Sequence, residues 1–390
     1  MQPDTLRAAA LQSHARWRGK IEMAGRAPVA TAADLALAYT PGVAEPCKAI
    51  AANPEDAYLY TRKWNTVAVV SDGTAVLGLG DIGPLAGLPV MEGKALLFKA
   101  FADVDAFPLM LDTKDVDEIV ETVCRVAPGL GGVNLEDIAA PRCFQVEQRL
   151  QALLDIPVFH DDQHGTAVVV AAALLGALRL TGRGMTGLRV VVNGVGAAGT
   201  ACAKLLLSMG VTDLIAVDRA GIITGAPEDI HRDLALRTNP RHITGGLAEA
   251  LAGADVFVGV SAPGALTGDL VRRMAPDSII FAMANPTPEI FPAEALAAGA
   301  RVVGTGRSDF PNQVNNVLAF PGIFRGALDC RARRVSEGMK LAAARAIAAL
   351  VADDDLCETH ILPAALDARV SAAVARAVAQ TAKDEGLARL

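Results

Sequence analysis

Hydrophobic residues in this chain gather into short unbroken runs instead of alternating with polar ones. Residues 64–70, 107–111, 131–135 and 157–159 form a first series, and 188–193, 214–218, 255–260, 278–283 and 301–304 a second. Such runs suit parallel strands covered on both faces, whereas a half-exposed strand would alternate. Segments with helical spacing separate them. One opens near Gly93-Lys94 and runs through Ala100, and others cover 142–154, 166–180 and 200–209. An acidic start at 112–118 sets Asp115 and Glu118 at capping-box spacing. The turn Ser71-Asp72-Gly73-Thr74, followed by the apolar run 75–79, predicts a hairpin. Before residue 60, Pro28, Pro41, Pro46 and Pro54 cut the chain into short helical and irregular pieces. Residues 336–390 read as mostly Ala-rich helix. Strands alternating with helices predict an α/β chain with parallel sheets.

A length of 390 residues exceeds one typical core. It predicts two domains divided near residue 160, residues 1–160 and residues 161–390, with the aspartates of 161–162 at the cleft between them. Net charge of −7 without a basic stripe argues against a nucleic-acid partner. The longest apolar run, 167–178, ends at Arg179 and reads as a buried helix, not a bilayer span. Met1-Gln2-Pro3-Asp4 lacks the basic and apolar regions of a secretory signal, and Cys47, Cys124, Cys143, Cys202, Cys330 and Cys357 form no Cys-x-x-Cys pair. A reducing cytoplasm is the compartment this predicts.

The second series opens with a dinucleotide fingerprint. Gly194-Val195-Gly196-Ala197-Ala198-Gly199 follows a predicted strand and precedes a predicted helix, and Asp218 ends the next strand. Glycines there allow a tight turn and close approach of a pyrophosphate to the helix N-terminus. That context predicts a Rossmann-type doubly wound parallel sheet, preceded by an N-terminal α/β catalytic domain. Asp218 would accept hydrogen bonds from the adenine ribose hydroxyls, which favours NAD. Arg219 beside it could instead pair with the 2′-phosphate of NADP.

Two acidic pairs carry the remaining chemistry. Asp161-Asp162 follows the strand 157–159, and Glu136-Asp137 follows 131–135. The second pair taken alone is more often a solvated loop or a helix cap. Asp161-Asp162 says more, because it puts two like charges beside apolar Val158 and Phe159. Oxygen-only ligands from such residues suit Mg²⁺ or Mn²⁺. His160 and His164 flank the aspartates without a zinc signature, and ordinary hydrogen bonding accounts for both. Lys94, in the first turn of its predicted helix, would feel a macrodipole that lowers its pKa, as a basic lysine requires; snorkelling to solvent is the alternative. Tyr39 precedes a predicted helix start with Thr40 as N-cap and Pro41 at the first helical position, and by itself reads as a packed aromatic.

Taken together these motifs resemble the malic enzymes. The order is Tyr39-Thr40-Pro41-Gly42-Val43-Ala44, Gly78-Leu79-Gly80-Asp81-Ile82-Gly83, Met91-Glu92-Gly93-Lys94-Ala95, Asn134-Leu135-Glu136-Asp137-Ile138 and Phe159-His160-Asp161-Asp162-Gln163-His164-Gly165-Thr166-Ala167. Asn285-Pro286-Thr287 and the run from Gly306 to Asn316 complete it. The resemblance is to the short bacterial type and covers nearly the whole chain. It implies that Glu136, Asp137 and Asp162 bind Mg²⁺ or Mn²⁺, that Asp161 supports Lys94 as the base, and that Tyr39 is the acid. Asn285 and Asn316 would lie against substrate and nicotinamide. The implied reaction takes L-malate through oxaloacetate to pyruvate and CO₂, in a dimer or dimer of dimers. Ala75 stands where larger members carry a carboxylate-binding arginine, and the chain ends before the acetyltransferase-like domain of some bacterial relatives. Two other functions fit the residues less well: a metal-dependent hydroxy-acid dehydrogenase that does not decarboxylate, and a non-catalytic nucleotide sensor.

Overall fold

The computed structural model describes residues 3–76, 78–225 and 231–390. Strand β1 (Thr66–Ser71) lies between β2 (Asp105–Met110) and β3 (Gly132–Leu135), and β4 (Val158–His160) extends the sheet beyond β3. All three pairings are parallel, in the order β2-β1-β3-β4. Val67, Ala68, Val69 and Val70 are fully buried, as expected for a strand covered on both faces. The hairpin expected after β1 does not form. Both edges of β1 are taken by β2 and β3, so the chain folds back on itself and Val76 bridges to Gly80. Leu77 lies outside the described residues.

A second sheet holds β5 (Arg189–Asn193), β6 (Asp213–Asp218), β7 (Gly221–Ile222), β8 (Val256–Gly259), β9 (Ser278–Ala282) and β10 (Ala300–Thr305). Its order is β10-β9-β8-β5-β6-β7, parallel except for the short β7, which runs antiparallel to β6. Strand order reverses between β5 and β8, the switch point where doubly wound sheets open a crevice. The helix Ala197–Ser208 starts earlier than its periodicity suggested, because Gly196 of the fingerprint is its N-cap.

Three further elements depart from expectation. The Lys94 helix runs from Pro84 to Ala102, so it begins well before Gly93. Pro89 inside it leaves one carbonyl, that of Leu85, without an amide, and Leu85 is 83% exposed, where water can serve. Asp115 caps the helix Val116–Val126 through its side chain, but Glu118 bonds Thr113 instead of closing the box. The C-terminal tail is two helices, Glu337–Ala348 and Arg369–Asp384, joined by irregular chain.

An unexpected helix, Phe320–Asp329, ties this tail to the first sheet. Phe98 meets Phe320 and Phe324 edge-on at 4.7 and 5.2 Å, and Phe159 meets Phe324 at 5.9 Å. One core cluster therefore joins Val67 and Phe98 to Val192 and Val374. Asp161–Thr181 is long and apolar enough to cross a membrane, yet 67% of its apolar window is buried inside the molecule. It is the central helix of this core. By contrast, no residue from 5 to 64 is buried.

Candidate active site

Parallel pairing places the two acidic pairs side by side. Leu135 stands opposite His160 in the β3–β4 register, so the next residues, Glu136 and Asp161, leave the sheet at the same edge. Asp137 and Asp162 then meet directly, the Asp137 N–H donating to Asp162 Oδ2 at 2.7 Å. One carboxylate oxygen from each of Glu136, Asp137 and Asp162 lies within 4.8 Å of the others. Asp137 adopts a left-handed φ of +52° to present its side chain, and its Oδ2 is buried with no hydrogen-bond partner. Asn134 Nδ2 donates to Glu136 Oε2 at 2.9 Å and fixes that carboxylate.

Lys94 points into this cluster. Its Nζ lies 2.6 Å from Asp161 Oδ2 and 2.9 Å from Glu136 Oε1, and 4.4 Å above the ring of Phe320. Asn316 Nδ2 donates to the same Asp161 oxygen at 2.6 Å. The expectation of a lowered lysine pKa is reversed. Burial does disfavour the ammonium, but Asp161 and Glu136 outweigh it and hold Lys94 above the usual lysine range. Lys94 sits mid-helix, far from the first turn where the macrodipole acts. One ammonium faces the carboxylates of Glu136, Asp137, Asp161 and Asp162. Burial first, then repulsion from Asp162 and Glu136, pushes Asp137 up to about 9.

The fingerprint glycines differ in what they do. Gly194 has φ +100°, and a Cβ there would lie 2.6 Å from the Val260 carbonyl oxygen. At Gly199 a Cβ would meet the Gly194 oxygen at 1.6 Å. Around Gly196 there is open space, nothing within 4 Å, which leaves room for a pyrophosphate at the helix N-terminus. Val195 is buried beneath the turn, and Ala197 and Ala198 are half-buried in the first turn of the helix. Asp218 ends β6, its Oδ1 accepting from the N–H groups of Ala220 and Gly221 at 2.7 and 3.1 Å.

Two predicted site residues stand apart. Tyr39 is 66% exposed and closes the helix Ala32–Ala38 instead of preceding one; the next helix begins at Ala44, with Val43 as its N-cap. Thr40 and Pro41 therefore lie in the turn between them. Asn285 is exposed, packed between Gly78 and Gly306, where added Cβ atoms would lie 2.5 Å from its oxygen and 2.8 Å from its Nδ2. Neither touches Lys94.

Behind the aspartates lie the two flanking histidines and two charged groups not singled out from the sequence, Glu147 and Lys340. His160 is fully buried and neither ring nitrogen makes a hydrogen bond, contrary to the ordinary hydrogen bonding expected; its Nδ1 lies 3.7 Å from Asp162 Oδ2, and burial lowers its pKa to about 4. His164 does hydrogen-bond, to Glu147 and Lys340. Both partners were detectable: Glu147 falls on the stripe of Cys143, Val146 and Leu150, and Lys340 on that of Met339, Ala343 and Ile347. A charge on an apolar stripe needs a partner.

A doubly wound sheet with a glycine turn at its switch point defines a dinucleotide-binding α/β enzyme. Comparison with known proteins narrows the class. A family model described as "Malic enzyme, N-terminal domain" matches residues 18–151, and one described as "Malic enzyme, NAD binding domain" matches residues 163–383. The chain is 58% identical over 390 residues to the bifunctional malic/malolactic enzyme of Bacillus subtilis, covering 99% of this chain and 95% of that one. It is 58% identical over 381 residues to the NAD-dependent malic enzyme of Geobacillus stearothermophilus, covering 95% and 78%. Other relatives are named NADP-dependent. Among solved structures, the malic enzyme of Pyrococcus horikoshii superposes with a TM-score of 0.93 at 49% identity, covering 98% of this chain and 92% of that one. The chain belongs to the malic enzyme family.

Proposed function

We propose that this malic enzyme oxidises L-malate and releases CO₂ to give pyruvate, with Glu136, Asp137 and Asp162 holding Mg²⁺ or Mn²⁺. The observation that carries the reading is the buried Lys94 ammonium between Asp161 and Glu136, beside converging carboxylate oxygens of which Asp137 Oδ2 has no partner. The donor set is all oxygen and suits a hard cation.

When bound, the cation supplies Lewis-acid polarisation of substrate oxygens and the nicotinamide supplies a hydride acceptor. Lys94 takes the C2 hydroxyl proton. Asp161, fixed by Asn316, aims the amine, and Asn285 lines the approach of substrate and nicotinamide. Once the charges of Glu136 and Asp162 are shared with a cation, their pull on the lysine proton weakens, which favours the neutral amine. Tyr39 returns a proton to C3 of the enolate left when CO₂ departs. Its exposure, on a segment that buries no side chain, supports a homodimer in which a second copy covers that segment. Leu11, Trp17, Val29 and Leu37 are more than half exposed there. A single species of one chain's mass in sedimentation would contradict the dimer.

Gly194, Gly196 and Gly199 shape the dinucleotide site, and Asp218 selects NAD⁺. A 2′-phosphate beside that carboxylate would cost on the order of 1–3 kcal/mol. The separate sheets on either side of residue 160 support the domain division, and the free cysteines a reducing cytoplasm.

A spectrophotometric assay of L-malate with NAD⁺ or NADP⁺, with Mn²⁺ and then with chelator, tests the reading. We expect metal-dependent reduction with CO₂ release, faster with NAD⁺, and a loss of orders of magnitude in Asp162→Ala. Full activity in excess chelator would overturn the cation site, reduction without CO₂ the decarboxylation, and equal efficiency with NADP⁺ the role of Asp218.

A further inference from the structure

Asp161 and Asp162 sit on a single widened turn, Asp161–Gly165, of π type between β4 and the core helix. Such a turn departs from the regular helical hydrogen-bond ladder and is frequent at functional sites. Glu147, 6% exposed on the helix Arg142–Leu153, reaches both of its ends. Oε1 accepts from the His160 N–H at 3.0 Å, just before the aspartates. Oε2 accepts from Gln163 Nε2 at 3.3 Å and lies 3.0 Å from His164 Nε2, just after them.

Lys340 braces this clamp from the C-terminal helix. Its Nζ, on a buried residue, lies 3.1 Å from His164 Nδ1. An ammonium can only donate, so Nδ1 accepts and Nε2 carries the hydrogen given to Glu147. Burial alone would raise the Glu147 pKa, but the hydrogen bond from His164 and the nearby Lys340 ammonium help lower it to about 2, so Glu147 is a carboxylate at neutral pH. Glu147, Gln163, His164 and Lys340 make no hydrogen bond or ion pair to Lys94 or to the converging carboxylates among the described residues; only His160 comes near, its Nδ1 lying 3.7 Å from Asp162 Oδ2.

We propose that Glu147, braced by His164 and Lys340, is a positioning residue that sets the turn so that Asp161 meets Lys94 while Asp162 faces Glu136 and Asp137. This rests on the site reading above. In Glu147→Gln one carboxylate oxygen becomes an amide donor facing donors, and the turn loses one anchor at an unchanged side-chain size. Mn²⁺ alone, titrated by calorimetry into the metal-free full chain, is expected to bind about 10–100-fold more weakly than to the wild type. The turnover number should fall at least about tenfold, with KM for NAD⁺ within about twofold, because the glycine turn is untouched. Glu147→Asp, which keeps the charge, should recover part of the Mn²⁺ affinity.

A purely structural Glu147 would lower the melting temperature of Glu147→Gln while leaving Mn²⁺ affinity and turnover of the folded protein within about twofold of wild type; that result overturns the proposal. If Glu147→Gln fails to fold, Lys340→Met decides, since it removes the brace from a remote helix. Several-fold weaker Mn²⁺ binding supports the proposal, and unchanged binding overturns it. Absence of Mn²⁺ binding by the wild type itself would overturn the site reading and this assignment together.

Discussion

Asp161 is confined on all sides by identified atoms. Lys94 Nζ and Asn316 Nδ2 both reach its Oδ2 at 2.6 Å, while its Oδ1 fills space that only a glycine at 165 leaves open. A Cβ at Gly165 would lie 1.8 Å from that oxygen. Gly165→Ala should therefore push the carboxylate off Lys94 and cut turnover at least about tenfold while NADH binding, followed by fluorescence, is retained. Turnover within about twofold of wild type would contradict this. Charge at the site has its own consequence. The folded pKa of Asp137, about 9, lies above its ordinary 3.8, so between these values the folded chain holds a proton that the unfolded chain has lost. This group's contribution to metal-free stability is then full below about pH 4 and falls as pH rises towards 9. A cation binding there must displace the proton, so Mn²⁺ binding at pH 7 should release protons and raise the melting temperature more at pH 8 than at pH 6. Calorimetry in two buffers of different ionisation enthalpy measures the release; binding enthalpies independent of buffer would contradict it.

At the scale of elements, the fingerprint glycines divide into two kinds. Gly199→Ala should destabilise the fold, since its Cβ would overlap the Gly194 carbonyl, whereas Gly196→Val should fold and lose the dinucleotide, since its side chain enters open space. Thermal melts beside NADH titrations separate the two, and equal melting temperatures would contradict the distinction. Elements defined by short-range signals were legible: the unbroken runs that became β1, β3 and β5, the turn at 194–199, and the acidic pairs at strand ends. What depended on partners was not. Pro89 hid the first half of the Lys94 helix, because its cost there is small at an exposed carbonyl. No expectation covered Phe320-Pro321-Gly322, which opens a helix whose Pro321 lies in its first turn and whose phenylalanines pack on Phe98. The raised lysine pKa was out of reach for the same reason: it comes from Asp161 and Glu136, which only the strand register brings to Lys94.

Across the whole molecule, one face of each sheet packs into a common core cluster, and the tail that follows the dinucleotide sheet packs back on the sheet that carries the acids. Lys94 and Glu136 come from one side of residue 160, Asp161 and Asn316 from the other. In the proposed reading, malate oxidation needs both halves together, and loss of CO₂ from oxaloacetate chiefly the carboxylate cluster. The most direct test measures both activities in two variants. Gly196→Val should abolish malate oxidation, because the pyrophosphate cannot approach, yet retain part of the Mn²⁺-dependent decarboxylation of supplied oxaloacetate. Asp162→Ala should lose both. The same pattern of loss in the two variants would contradict the account.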